Sequence, residues 1–278
     1  MPKINANGIT LNYDQQGSGE PLILIPYLSA DNACYAFQVA EYAKHFTCIS
    51  IDLRGAGESD KPDGPFSTEL YADDIAAFMQ AAGIARAHVT GLSLGAGIGM
   101  WLAAKYPDKV KTLSVHSGWT KTDPYAKTVV EGWQVIARAL NSVPETVIRG
   151  MFPWCFTPNL YANRYDYVQT LADFVRSRPP MSVDGFIRQS DAVIGHDVES
   201  QLTRITAPAL ITFGRHDQIT SLRFAEPLTN GIKNSELVIF EDASHAPIYE
   251  VTEEFNQKTL DFLQRHSGEE RLSQSGAI

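Results

Sequence analysis

The segment that most restricts the fold of this chain is Gly91-Leu92-Ser93-Leu94-Gly95. A short apolar run, residues 88–92, precedes the serine, and a stretch rich in alanine, glycine and leucine follows it. This order predicts a strand, a sharp turn and a helix, with Ser93 at the turn. Small residues must flank such a serine, because the backbone and the neighbouring helix approach closely there. The Ser93 hydroxyl would then be exposed at the positive N-terminal end of a helix, as a candidate nucleophile.

A base and an acid are needed beside this serine, since a serine hydroxyl is a weak nucleophile at neutral pH. In hydrolases with this turn, the chain order is serine, acid, histidine. Two later strand-like runs end just before Asp217 and just before His245. Ligand sites of open α/β sheets form at such carboxyl ends of strands. The sequence therefore predicts a catalytic triad of Ser93, Asp217 and His245.

Strand and helix patterns alternate over most of the chain, which predicts an α/β fold with a mostly parallel sheet. The predicted strands cover residues 9–14, 22–25, 47–51, 89–92, 110–115, 209–213 and 236–240. The predicted helices cover residues 34–45, 68–82 and 94–106. From about Trp119 to His196 the alternation stops, and helical stretches separated by prolines replace it. Such a segment is too long for an ordinary loop, so we expect it to form a structure of its own.

Three further segments, taken with the pentad, resemble the α/β-hydrolase superfamily over about residues 9–266. They are residues 51–59, with the pattern Asp-x-Arg-Gly-x-Gly-x-Ser, residues 205–210, and residues 20–25. The resemblance implies a mostly parallel eight-stranded sheet flanked by helices, with an inserted helical cap, as in small esterases, lactonases and C–C bond hydrolases. It implies a core of residues 1–118 and 197–266 and a cap of residues 119–196. The polar tail, residues 267–278, is predicted to be disordered.

The resemblance also bears on which chemistry is expected. Some members of the superfamily place the acid after the sixth strand, which makes Asp123 the alternative to Asp217. Members that dehalogenate or open epoxides carry an aspartate as the nucleophile, and Ser93 argues against those activities.

One departure from the superfamily pattern concerns the loop after the predicted strand 22–25. Members usually have His-Gly there, and this chain has Pro26-Tyr27. The resemblance implies that the backbone N–H groups of Leu94 and Leu28 form the oxyanion hole, with the N–H of Tyr27 as the alternative to that of Leu28. Because Tyr27 has a large ring where glycine is usual, either the loop takes another path or the ring lines the pocket.

The predicted cap is rich in aromatic residues, and some of these should face the serine because a cap covers the site and excludes water. We expect residues 151–156 to line the pocket, above all Phe152 and Trp154, together with Tyr27. The cap also holds six arginines, and an inward-facing one would bind a substrate carboxylate. Those arginines are Arg138, Arg149, Arg164, Arg176, Arg178 and Arg188.

Composition excludes several other classes of protein. The formal net charge of −9 and the absence of a basic run argue against nucleic-acid binding. No apolar run reaches the roughly 18 residues of a membrane span, and residues 1–8 lack a secretion signal. The three scattered cysteines predict reduced thiols in a cytoplasmic protein, and no spacing of ligands predicts a metal. We expect no cofactor, a small-molecule substrate as the partner, and a monomer or homodimer.

The sequence thus predicts a serine hydrolase that cleaves a small carboxylic ester or lactone through an acyl-enzyme intermediate. A C–C bond hydrolase, or an acyltransferase or thioesterase, would use the same triad. A non-catalytic ligand receptor is the third alternative, since a fold does not determine a function.

Overall fold

A mostly parallel sheet of eight strands forms the centre of the computed structural model, which describes residues 1–268. The strands are β1 (Lys3–Ala6), β2 (Ile9–Gln16), β3 (Glu20–Ile25), β4 (Phe46–Ile51), β5 (Ala87–Leu92), β6 (Val110–His116), β7 (Ala209–Gly214) and β8 (Ser235–Phe240). Their order is β1-β2-β4-β3-β5-β6-β7-β8. The pairs β1–β2 and β2–β4 are antiparallel, and the other pairs are parallel. Apart from residues 267 and 268, the predicted disordered tail lies outside the described residues.

Helices cover both faces of this sheet. The α-helices are α1 (Ala36–Tyr42), α2 (Thr68–Ala81), α3 (Leu94–Lys105), α4 (Pro124–Leu140), α5 (Val143–Thr146), α6 (Phe152–Cys155), α7 (Pro158–Asn163), α8 (Tyr165–Ser177), α9 (Val183–Ile194), α10 (Ala225–Gly231), α11 (Pro247–Glu250) and α12 (Thr252–Arg265). A π-helical turn occupies Val147–Met151, and 3₁₀ turns occupy Asn32–Tyr35, Pro107–Lys109, Glu199–Arg204 and Leu222–Phe224.

Strand β3 illustrates why the sheet is buried on both faces. Leu22 and Leu24 belong to the core cluster that contains residues of α1 and α12, whereas Ile23 and Ile25 belong to the cluster with α2 and α3. Successive side chains of a strand point to opposite faces, so an uninterrupted apolar run is what a two-sided core requires. This pattern is why the short apolar runs predict buried strands.

Helices α4 to α9 form a single insertion between β6 and β7. The two ends of the insertion lie side by side, where Lys121 and Asp197 form an isolated antiparallel bridge. On either side of it, Thr122 N–H donates to the His196 carbonyl at 2.9 Å, and Val198 N–H donates to the Thr120 carbonyl at 2.8 Å. We refer to residues 119–196 as the insertion.

The predicted α/β fold class and mostly parallel eight-stranded sheet are confirmed. Two elements differ from the sequence prediction. The helix predicted at 34–45 is a 3₁₀ turn followed by the short helix α1, which ends at Tyr42. Strand β1 was not among the predicted strands, because four residues with one buried side chain give too weak a pattern of alternation.

Buried neutral histidines should make the fold sensitive to acid. His116 lies between the hydroxyls of Thr90 and Thr212, and burial lowers its pKa to about 3. Burial also lowers the pKa of His196 to about 4. Both values lie below the ordinary 6.5, so their stabilising effect is complete above pH 6.5 and is lost as the pH falls towards the folded-state pKa. We expect the free energy of unfolding to fall by about 1 kcal/mol per pH unit for each histidine between pH 6.5 and 5.

Urea denaturation at pH 7, 6 and 5 measures this slope. His116→Gln should reduce the slope by one histidine's share, whereas His45→Gln, at an exposed position, should leave it unchanged. An equal slope in wild type and His116→Gln would contradict the assignment of His116 as neutral and buried.

Candidate active site

Ser93 sits at a strained turn between β5 and α3. Its backbone has φ 53° and ψ −117°, a region that non-glycine residues rarely adopt. Such a residue costs about 1–3 kcal/mol and persists only where the surroundings enforce it. The Ser93 N–H donates to the His116 carbonyl at 2.9 Å, and the Ser93 carbonyl accepts from Ala96 N–H at 2.8 Å. The turn therefore holds Ser93 rigidly above the sheet.

The two glycines of the pentad are required by close backbone contacts. A Cβ atom on Gly91 would lie 2.2 Å from the Gly95 carbonyl oxygen, and one on Gly95 would lie 2.1 Å from the Ile25 carbonyl oxygen. Neither backbone neighbour is the flexible end of a side chain. Glycine at both positions thus allows β5, α3 and the loop after β3 to converge at Ser93.

His245 and Asp217 form a buried pair at the ends of β8 and β7. His245 Nδ1 lies 2.8 Å from Asp217 Oδ2, and the two residues are 5% and 4% exposed. The other carboxylate oxygen, Oδ1, accepts from the N–H groups of Ile219 at 2.8 Å and Thr220 at 3.0 Å. Burial raises the pKa of Asp217, but His245 and these backbone donors outweigh it and bring the pKa below its ordinary value. Asp217 is therefore a carboxylate that orients the imidazole.

Asp123, the alternative acid, has a different environment. Its Oδ1 accepts from Ala126 N–H at the start of α4, and its Oδ2 accepts from Arg223 Nε. Asp123 thus serves as a helix N-cap with an ion pair. The geometry places Asp217, and not Asp123, against His245.

Ser93 and His245 line the same cavity, between the sheet and the insertion. With Nδ1 bonded to Asp217, the Nε2 side of His245 remains for a substrate or for the serine. The Ser93 hydroxyl makes no hydrogen bond within residues 1–268. Catalytic hydrogen bonds are often long without substrate and shorten in the complex, so this is compatible with a serine–histidine pair.

Apolar side chains make up most of the cavity wall. The cavity has a volume of about 120 Å³, whereas a single water needs roughly 10–15 Å³. This cavity suits a small molecule. The apolar residues of the wall include Trp133, Val147, Met151, Phe152, Phe156 and Met181 from the insertion, and Tyr27, Leu28 and Tyr249 from the core.

The predicted pocket residues Tyr27 and Phe152 line this cavity, but Trp154 does not belong to its lining among the described residues. Phe152 and Cys155 are three residues apart, share a face of α6 and both line the cavity, whereas Trp154 lies two residues after Phe152, towards the other face. Trp154 is half-buried, and its carbonyl accepts from Ser244 Oγ at 3.2 Å. Its backbone thus holds the loop that carries His245.

The insertion contacts that loop a second time. Ala246 N–H, next to His245, donates to the Cys155 carbonyl at 3.1 Å. Glu250 accepts from Ser244 N–H at 2.6 Å and from Thr157 N–H at 2.7 Å, and so links the loop to the insertion. Sequence reasoning missed these contacts because each involves a backbone N–H or carbonyl group, which leaves no mark on residue type.

The large side chain of Tyr27, at a position where glycine is usual, forms part of the cavity wall. The Tyr249 hydroxyl donates to the Cys34 carbonyl at 2.8 Å, so the Tyr27 hydroxyl donates to Tyr249 Oη, at 2.7 Å. Burial raises the pKa of the Tyr27 phenol well above its ordinary value. The phenol is therefore neutral, and its proton is donated to Tyr249.

The backbone donors predicted for an oxyanion hole lie on two different elements. Leu94 is the first residue of α3, so its N–H has no partner within the helix. Leu28 follows β3 and lines the cavity. Neither N–H makes a hydrogen bond within the described part of the chain.

Among the six arginines of the insertion, Arg178 belongs to the cavity lining. Its Nε donates to Asp31 Oδ2 at 2.8 Å, and Asp31 also lines the cavity. Asp31 is only 7% exposed, so the pair is partly withdrawn from solvent. Arg149, Arg176 and Arg188 also pair with acidic side chains, but those side chains do not belong to the cavity lining.

Two features are absent from residues 1–268. No group of three or more histidine, cysteine, aspartate or glutamate residues there is arranged to hold a metal ion. Within the same range, none of the helices combines the length and apolar character that crossing a bilayer demands.

Comparison with known proteins agrees with this geometry. The sequence pattern of the alpha/beta hydrolase fold family matches residues 8–251. The chain therefore belongs to the alpha/beta hydrolase fold family, and it is a hydrolase.

Among its relatives is a putative carbamate hydrolase, RutD, of Azorhizobium caulinodans, 25% identical over 267 residues, which are 94% of this chain and 98% of the relative. The crystal structure of the enol-lactonase of Burkholderia xenovorans has a TM-score of 0.85 at 26% identity, covering 95% of this chain and all of that one. A thermophilic esterase of Thermogutta terrifontis has a TM-score of 0.84 at 25% identity, covering 95% and 98% of the two chains.

Proposed function

We propose that the protein hydrolyses small carboxylic esters or lactones through an acyl-enzyme formed on Ser93. The observation that carries this proposal is that Ser93, His245 and the insertion all border one cavity. Ser93 lies there at its strained turn, and His245 lies there with its Nδ1 2.8 Å from a buried carboxylate. The insertion, residues 119–196, acts in this proposal as the cap that covers the site.

The reaction proceeds in two halves. Ser93 Oγ attacks the carbonyl carbon while His245 Nε2 takes its proton, and the N–H groups of Leu94 and Leu28 stabilise the oxyanion. The tetrahedral intermediate collapses, and His245 gives the proton to the departing alkoxide. A water then attacks the acyl carbon, with His245 again as base, and releases the acid and free Ser93. With a lactone the leaving hydroxyl stays attached to the acyl group throughout.

The names of the similar proteins support attack at a carbonyl carbon that bears a leaving group, since they specify a carbamate, an enol-lactone and an ester. The cavity supports a neutral, largely apolar acyl group. Arg178 already has Asp31 as its partner, so the wall offers a neutral pair and no unpaired cation. C–C bond cleavage of a carboxylate-bearing substrate is the less favoured use of the triad for this reason.

Covalent labelling tests the proposal. A fluorophosphonate should modify the folded protein once, at Ser93, as located by peptide mass spectrometry. Short-chain p-nitrophenyl esters, a γ-lactone and an alkyl carbamate form the substrate panel. Labelling of Ser93 with ester or lactone turnover supports the proposal. Labelling without turnover of any panel member would transfer the assignment to acyl transfer or C–C cleavage, and no labelling would overturn it.

The Asp31–Arg178 pair predicts how the preference for anionic or neutral substrates can be changed. In Asp31→Asn the amide oxygen can still accept from Ala33 N–H, but the charge facing Arg178 is lost. Arg178 then becomes an unpaired cation in the wall, and we expect the kcat/KM ratio of an anionic ester to a neutral one to rise roughly tenfold.

Paired assays with p-nitrophenyl hemisuccinate and p-nitrophenyl butyrate measure this ratio. Arg178→Gln is the matched control, and it should lower the ratio because it leaves Asp31 unpaired. The same ratio in wild type and both variants would mean that the pair does not face the substrate.

A further inference from the structure

One buried side chain of the insertion reaches the loop that carries the proposed oxyanion donor. Gln189, on α9, is fully buried, and its Oε1 accepts from Ser29 N–H at 3.0 Å. Ser29 directly follows Leu28, whose N–H is one of the two proposed oxyanion donors. The two bonded residues are 160 positions apart in the chain.

The loop in question is a tight turn. Ala30 N–H donates to the Tyr27 carbonyl at 3.1 Å, so residues 27–30 form a β-turn with Leu28 and Ser29 at its centre. Ser29 has φ +67°, the region that a type II turn requires at its third position and that favours glycine or asparagine. A serine is strained in that conformation, so a second contact must hold the turn.

Gln189 provides that contact. Type I and type II turns differ by a flip of the central peptide, which here joins Leu28 to Ser29. The N–H of that peptide points at Gln189 Oε1, so the hydrogen bond selects one orientation.

We propose that Gln189 is a positioning residue, which holds the turn at residues 27–30 so that the Leu28 N–H faces the oxyanion. This inference rests on the proposed function. It makes the insertion a part of the catalytic assembly, because a residue of the cap sets the geometry of a donor on the core.

Gln189→Met tests the proposal, since methionine has a similar length and no acceptor of comparable strength. We expect kcat for a p-nitrophenyl ester to fall at least tenfold with little change in KM, because the Leu28 donor acts mainly in the transition state. A trifluoromethyl ketone, which forms an oxyanion adduct with a serine, should bind more weakly by the same factor. Gln189→Glu keeps an acceptor oxygen and should recover most of the lost kcat.

Gln134→Met is the matched control. Gln134 also bonds to α9, through Nε2 to Asp191 Oδ1 at 2.8 Å, but it does not contact the turn. This variant should keep wild-type kcat and ketone affinity. Equal losses in Gln134→Met and Gln189→Met would show a merely structural role and overturn the proposal, as would an unchanged kcat in Gln189→Met.

Hydrogen exchange of the peptide covering the turn gives a readout that needs no substrate. Gln189→Met should speed exchange there, and Gln134→Met should not. If wild type is labelled at Ser93 and turns over esters but Gln189→Met matches it in rate and exchange, only this inference fails. If wild type is neither labelled nor active, the proposed function fails, and the catalytic role of Gln189 fails with it.

Discussion

Replacing Ser93 or His245 by alanine is expected to reduce kcat by about 10⁶-fold, since the members of such a triad act as a unit. Ser93→Ala removes the atom that forms the acyl-enzyme, and His245→Ala removes the group that takes its proton. For the same reason the double variant should lose no more than either single variant. Residual activity would come from the donors and from binding alone.

Burst and steady-state kinetics with a p-nitrophenyl ester measure these losses, and fluorophosphonate labelling should disappear in Ser93→Ala. His216→Ala is the matched control for His245. His216 is exposed and precedes Asp217 directly, so its loss should leave kcat within a few-fold of wild type. Losses that multiply in the double variant would contradict a shared proton-transfer step.

The fold, and the positions of Ser93, Asp217 and His245 just past the ends of their strands, are the part that sequence patterns predict well. Each rests on a local signal: an apolar run gives the strand, and a residue just past its end faces the site. The pentad around Ser93 combines a turn, two close backbone contacts and a helix start within five residues. Local patterns of this kind do not depend on knowing the rest of the structure.

The parts that the sequence did not predict depend on contacts between distant segments. The Gln189–Ser29 bond and the carbonyls of Trp154 and Cys155 that hold the His245 loop involve backbone atoms, for which residue type gives no signal. Trp154 was expected in the pocket because aromatic residues are plausible linings. The rotation of the short helix α6 about its axis turns Phe152 towards the cavity. Trp154, two residues later in the same helix, lies towards the other face.

The arginines of the insertion show the same limit. Six of them are present, and sequence gives no reason to single out Arg178 over Arg149 or Arg188. Arg178 faces the cavity because it lies between α8 and α9, close enough to Asp31 to form an ion pair across the two parts of the chain. Its inward position follows from tertiary packing.

The choice between Asp217 and Asp123 can be decided by a matched pair of asparagine substitutions, and the expected difference is about 10⁴-fold. In Asp217→Asn the side-chain oxygen can still accept from Ile219 and Thr220 N–H. The amide nitrogen then faces His245 Nδ1 and donates to it. This places the imidazole proton on Nε2. A protonated Nε2 cannot accept the proton of Ser93.

Asp123→Asn is the counterpart at the alternative position. Its side-chain oxygen can still accept from Ala126 N–H at the start of α4, and only the ion pair with Arg223 is lost. Because that pair is partly exposed, the variant should lose about 1 kcal/mol of stability or less and keep kcat within a few-fold of wild type. Steady-state kinetics and urea denaturation of both variants measure this contrast. A large loss of kcat in Asp123→Asn together with an active Asp217→Asn would reverse the assignment of the acid.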